Sequence, residues 1–186
     1  MAGDVAKMPT EGSMSEGLIG RLSHMLEGRK PKMDAASIAG AIEAAKEHNH
    51  LRHLLEIIDA QGGTAGGGPL PVVSLEDFFQ GNHTPASIAC NLDPHPGLDV
   101  FYNTLKAIRD RECVHNVLVE IHDIPGENEW PFSACVYVIA NATVEQVTEW
   151  VRPLQSDPVA IGFNNGSPAA ALPIPMGHEV FTVWWD

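Results

Sequence analysis

The stretch that decides the fold runs Val114-His-Asn-Val-Leu-Val-Glu-Ile-His-Asp-Ile124, then Pro125-Gly-Glu-Asn-Glu-Trp-Pro131, then Ser133-Ala-Cys-Val-Tyr-Val-Ile-Ala140. Two β-branched runs flank a connector bearing Pro, Gly and Asn, which is the sequence form of a hairpin with a longer loop. Along the first run, Val117, Val119 and Ile121 share one face, and Leu118, Glu120 and His122 share the other. Along the second, Val136 and Val138 oppose Cys135, Tyr137 and Ile139, so both faces are apolar or aromatic. The closing stretch, Glu179 to Asp186, behaves the same way. Its Phe181, Val183 and Trp185 oppose Val180, Thr182 and Trp184. Strands greasy on both sides belong to a sheet covered on both sides.

Outward from the hairpin, Leu70-Pro-Val-Val-Ser-Leu75 reads as a short strand that begins at a proline, where a sheet tolerates one. Glu76–Phe79 reads as one helical turn. Leu98, Phe101, Tyr102, Leu105 and Ile108 fall on one face of a helix over 98–111. Asn141-Ala-Thr143 caps another helix over Val144–Leu154, with Val144, Val147, Trp150 and Val151 inward. The order strand, helix, strand, strand, helix, strand is that of a ferredoxin-like βαββαβ unit, an α+β antiparallel sheet with two helices on one face.

Upstream, Gln61-Gly-Gly-Thr-Ala-Gly-Gly-Gly68 has the composition of a flexible linker. It separates an α+β domain over 70–186 from a helical extension over 14–60, with a frayed tail over 1–13. Within the extension, Ser13-Met-Ser-Glu16 forms a capping box before the stripe Leu18, Ile19, Leu22, Met25 and Leu26. Asp34 caps a second helix to about residue 47, with Ile38, Ala41, Ile42 and Ala45 inward. Leu51, Leu54, Leu55 and Ile58 form a third stripe after a break at His48-Asn49. Such helices cannot bury their apolar faces alone. Folded back over the linker, they are the favoured cover for the sheet's other face, with a second subunit as the alternative.

Net charge is −13 over 186 residues. Residues 1–61 hold seven Lys/Arg and nine Asp/Glu, and residues 62–186 hold four and fifteen, so the second part carries 4 − 15 = −11. An acidic surface without a basic stripe repels phosphate backbones, which argues against nucleic acid and points to a basic protein or a cation. No apolar run approaches the roughly 20 residues of a membrane-spanning helix, and acids stand where a signal peptide has its apolar region. The expectation is a soluble, cytoplasmic protein that does not engage membranes. Three cysteines, Cys90, Cys113 and Cys135, with no CxxC spacing, read as free thiols rather than a disulfide framework or a structural zinc site.

The residues able to carry chemistry gather in the 80–97 loop and on the first hairpin strand. The loop holds Asn82, His83, Ser87, Cys90, Asn91, Asp93 and His95. Loops this long without structure of their own are often functional. Cys90 with His83 and an asparagine has the composition of a thiol nucleophile site, though it has no nucleophile elbow. His83, Asp93, His95 and His122 are donors suited to zinc, nickel or iron, but at no known motif spacing. Elsewhere His50 and His53 sit at i, i+3, in a run that reads as a solvated face. Glu120 and His122 point the same way, with Cβ atoms about 7 Å apart. Half-buried beside Tyr137, such a pair could exchange protons with a substrate. Trp130 and Trp184 read as core or edge packing. The glycine stretch lacks the Lys-Ser/Thr of a phosphate-binding loop.

Two functions fit. One is an acidic, self-associating interaction module without catalysis, an inhibitor-like or antitoxin-like binder of a basic protein, with no cofactor. The other is a small hydrolase or isomerase, metal-assisted in one version, with Glu120, His122, Cys90 and His83 meeting between the 80–97 loop and the sheet.

Overall fold

The computed structural model describes residues 34–185. The chain forms two compact units, Met1–Ala41 and Ile42–Asp186. Of the first, only 34–41 fall among the described residues. There Asp34 Oδ1 accepts the backbone N–H of Ser37 at 2.7 Å, the cap read from the sequence. The frayed tail and the stripe Leu18–Leu26 lie outside the described residues.

Helix α1, Ala35–Ala60, is continuous for 26 residues. The expected break at His48-Asn49 is absent. Neither residue is a proline or glycine, so neither removes a helical hydrogen bond or pays the glycine entropy cost. The positions read as inward on its first half are also revised: Ile38 and Ile42 are exposed. Burial begins at Leu51 and continues through Leu54 and Ile58. The helix ends where the N–H groups of Gly62 and Gly63 bond back to Asp59 and Ile58 carbonyls. Both glycines have positive φ, the conformation that closes a helix C-terminus.

The second unit is α+β, built on an open antiparallel sheet of five strands. These are β1 Val72–Ser74, β2 Val114–Glu120, β3 Cys135–Ala140, β4 Ala160–Ile161 and β5 Glu179–Trp184. Between them lie α2 Leu75–Phe79, α3 Leu98–Arg109 and α4 Val144–Val151. Thr143 and Gln146 form a reciprocal capping box on α4.

The strand order is β1-β2-β3-β5-β4. This departs from the ferredoxin-like expectation. A split βαβ unit keeps its first two strands parallel with another between them. Here β1 pairs directly and antiparallel with β2, Val73 opposite Val119. The hairpin itself is as read, with Val117 opposite Val138 and Glu120 opposite Cys135.

The period-2 partition of the strands also holds. Val117, Val119, Ile121, Val136, Val138, Phe181 and Val183 belong to one core cluster, and the helices supply the rest of it, including Leu54, Phe78, Phe101, Leu105 and Val147. Leu118, Cys135, Tyr137, Ile139 and Val180 belong to a second cluster on the rear face. Among the described residues, α1 does not cover this face. Leu51, Leu54 and Ile58 of α1 join the helix-side cluster. The rear cluster is completed by Ala171, Phe163 and Ile174 of the chain's own irregular segment 155–178.

The free edge of β1 is closed by a side chain. Gln61 donates Nε2–H to the Val72 carbonyl at 2.9 Å and accepts the Val72 N–H on Oε1 at 3.1 Å. One carboxamide thus imitates a neighbouring strand on an edge that would otherwise offer unpaired backbone groups.

Candidate functional site

The alternation of β2 sends Glu120 to the rear face, where it is fully buried. A carboxylate out of water needs donors. Tyr137, diagonal to it across the β2–β3 pair, donates its hydroxyl to Glu120 Oε1. Asn165, from the covering segment, points Nδ2 at Oε2 from 3.5 Å. His122 lies just beyond the end of β2, with Nε2 3.1 Å from Glu120 Oε2.

The His122 ring is tied from both sides. Nδ1 accepts the backbone N–H of Ala134 at 3.3 Å, so the neutral ring carries its proton on Nε2. That N–H is buried and at ion-pair distance from the carboxylate, yet off the line of a good hydrogen bond. We take the contact as electrostatic, since the distance is short and the alignment poor. Trp184 packs edge-on against the ring at 5.0 Å.

Tyr137 joins the sheet to its cover. Its oxygen accepts the Asn164 N–H at 3.3 Å, and Phe163 stands edge-on to its ring at 4.8 Å. Burial pushes the Tyr137 phenol far up, helped by the neighbouring Cys135 and by its bond to Glu120. Burial likewise pushes the Cys135 thiol far up, and the Glu120 carboxylate adds to the effect. Both groups are therefore held neutral. Tyr137 is a proton donor in a hydrogen bond, and Cys135 is a small apolar side chain rather than a thiolate.

The structure thus brings together Glu120, His122 and Tyr137, with Cys135 beside them. The loop candidates lie elsewhere. Ile88 and Ala89 anchor the 80–97 loop in the helix-side cluster. His83, Cys90, Asn91 and Asp93 are exposed. His95 is a clasp for the loop. Its Nε2 meets the Ile88 carbonyl at 2.9 Å, its Nδ1 takes the Gly97 N–H at 3.0 Å, and its ring stacks on Phe101. Asn82 and Ser87 are buried and bonded to each other at 2.8 Å. His50 is exposed, and His53 stands 3.8 Å from Asp77 on the surface. Among the described residues, no three His, Cys, Asp or Glu side chains assemble as a cation site.

What the sequence did not flag is the share taken by Phe163, Asn164 and Asn165. The available signal was Phe163 and Ile174 inside a stretch otherwise rich in Pro, Gly and Asn.

The match to known proteins follows this sheet. A family described as "Uncharacterized protein YfbO family" matches residues 49–183. The chain belongs to that family. "Uncharacterized protein YfbO" of Escherichia coli (strain K12) is 36% identical over 138 residues, 73% of this chain and 98% of that protein. No solved structure matches the chain. The YfbO match takes in Leu51, Leu54 and Ile58 of α1, β1 to β4 and nearly all of β5, and the covering segment. It begins inside α1, so Ala35–His48 precede it.

Proposed function

We propose that this chain is an acidic, non-catalytic interaction module whose partner is a basic protein. One observation carries the reading: beyond residue 61 the chain's few cations are already engaged and most of its acids are not. Lys106 bonds Asp110 at 2.8 Å, Arg109 bonds Glu76 at 2.7 Å, and Arg152 bonds Glu149 at 2.9 Å. Arg111 lies over the Trp150 ring at 4.5 Å. These are the only Lys and Arg residues after 61. Of the acids between 62 and 185, Glu120 alone is buried. The surface therefore presents negative charge without internal compensation, which steers and holds a positive partner.

The reading also accords with free cysteines at 90, 113 and 135, suited to a reducing cytoplasm. Among the described residues, no helix is long and apolar enough to cross a membrane. Self-association belongs to the same proposal, supported by the short exposed edge β4 with Ile161 at 62% exposure.

A second reading, a small hydrolase or isomerase, has the Glu120–His122 pair in its favour. It requires segment 155–178 to lift, because Glu120 is sealed and both ring nitrogens of His122 face protein groups.

The test is affinity capture from lysate across a salt series, repeated with Asp123, Glu127, Glu145 and Glu149 changed to Asn or Gln. The proposal expects basic proteins held at low salt, released as salt rises, and lost with the neutralised variant. Retention indifferent to both changes, or no retention above background, refutes it. Light scattering of the purified chain reads the oligomeric state.

A further inference from the structure

We propose that the cavity between α1, the Thr84–Ser87 turn and the 125–130 connector receives an arginine side chain from the partner. This rests on the reading above and gives it a location. The cavity encloses about 470 Å³, within the roughly 300–1,000 Å³ typical of built ligand sites. Leu51, Trp130 and Pro125 form apolar wall, and Glu47, Glu129 and Ser87 supply the polar groups.

Each part suits a guanidinium on an aliphatic stem. Trp130 is held rigidly: it is buried, and its indole N–H donates to the Phe78 carbonyl at 2.9 Å. With Leu51 it offers a fixed apolar surface to the methylenes and an aromatic one to the cation. Glu47 and Glu129 stand free of ion pairs among the described residues. The nearby cations of α1 are spoken for, Lys46 by Glu43 at 3.3 Å and Arg52 by Asn49 at 3.1 Å. Gly126 lets the Glu129 carboxylate lie close over the turn, where an added Cβ would come within 3.2 Å of Oε1.

Ser87 adds a buried hydroxyl to the wall. It is 2% exposed and lines the cavity, and its oxygen takes one proton from Asn82 Nδ2. One lone pair and its own hydroxyl proton remain uncommitted among the described groups. A guanidinium N–H would use the lone pair, and a peptide carbonyl beside it would take the proton. Arginine suits this better than lysine, because its planar fork can address two carboxylates at once.

The cavity also straddles the start of the family match. Ser87, Pro125, Glu129 and Trp130 lie within residues 49–183, whereas Glu47 precedes them.

The probe is N-acetyl-arginine amide titrated into the full chain, read by ¹H–¹⁵N correlation spectra. Saturable shifts are expected at the Trp130 indole N–H and at amides near Glu47, Ser87 and Glu129. Joint Glu47→Gln and Glu129→Gln substitution is expected to weaken binding about tenfold without altering the circular dichroism spectrum. N-acetyl-citrulline amide, uncharged and of similar shape, should leave the spectrum unmoved. Shifts scattered over the acidic surface, equal response to citrulline, or no saturation at tens of millimolar would each overturn the proposal. If captured basic proteins remain salt-sensitive yet indifferent to the double variant, the cavity fails and the module stands. If the cavity saturates with arginine while no basic protein is retained, the module fails and the cavity stands.

Discussion

The helix-side face of the sheet meets its cover through Val117, Val119, Val136, Val138, Phe181 and Val183. The rear face meets its cover through Tyr137, Glu120 and Thr182 as well as apolar groups. The difference follows from what does the covering. A helix satisfies its own interior N–H and C=O groups, so an apolar stripe is enough to seat it. An irregular segment carries unpaired backbone groups that must find partners when buried. Residues 155–178 find them on the sheet: the Asn164 N–H goes to Tyr137 Oη and the Gly162 carbonyl takes the Thr182 hydroxyl. The hydroxyls of Tyr137 and Thr182 on this face thus meet backbone groups of its cover.

Breaking the helix-side face should cost most. Phe101 is fully buried, edge-on to Trp185 at 5.3 Å and stacked with His95. Phe101→Ala should lower unfolding stability by about 3–5 kcal/mol. Denaturant titration reads this as a lower midpoint with an unchanged slope.

Breaking the rear face should cost less and show locally first. Tyr137→Phe strips Glu120 of its hydroxyl donor and Asn164 of its acceptor, a loss of about 1–3 kcal/mol. Amide exchange at Asn164 and Asn165 should quicken more than at Val138, because the cover opens before the sheet. Alkaline pH offers the same comparison without a mutation. The Tyr137 phenol and Cys135 thiol are raised above their ordinary 10.0 and 9.0. Their contribution is whole below those ordinary values and is lost as pH climbs past them, because the unfolded chain ionises first. The wild-type chain should lose stability above about pH 9, and Tyr137→Phe should lose it less steeply. A Tyr137→Phe slope equal to wild type would detach these groups from the rear-face account.

The faces differ too in how legible they were. Alternation along 117–121, 135–139 and 180–185 assigns those side chains to their faces, because a period of two is a property of the strand itself. It does not say which strand lies next to which, and so the β1–β2 pairing was missed. The stripes of α3 and α4 were readable for the same local reason. The cover was not, because Phe163, Ala171 and Ile174 follow no period. The pairing of Glu120 with His122 needed only the i, i+2 spacing, while the Tyr137 bond needed the register as well. The clasp made by His95 was not readable, since its partners at Ile88 and Gly97 are set by loop geometry and not by composition.

A smaller effect separates the helices from the covering segment. Thr143 Oγ1 accepts the Gln146 N–H at 3.3 Å, and the Gln146 side chain returns a bond to Thr143 N–H at 2.9 Å. Thr143→Ala should cost about 1 kcal/mol, visible in the denaturation midpoint. Amide exchange in 162–165 should stay unchanged, because the cap acts on α4 alone.

The least effect contrasts two of the partnered carboxylates. Glu120 is sealed, whereas the Glu76 side chain is 37% exposed and meets Arg109 Nη1 at 2.7 Å. The Arg109 hydrogen bond, opposed in part by desolvation, holds Glu76 below its ordinary 4.5. A carboxylate lowered in the folded state stabilises above its unfolded value and ceases to as pH falls through the folded one. Glu76→Gln should therefore cost little at neutral pH, roughly 0–1 kcal/mol for a solvent-screened pair. The gap from wild type should close as pH drops below about 4. Thermal unfolding scans from neutral pH downward measure it. A gap that widened on acidification would mean that the Glu76–Arg109 pair is not what fixes α2 against α3.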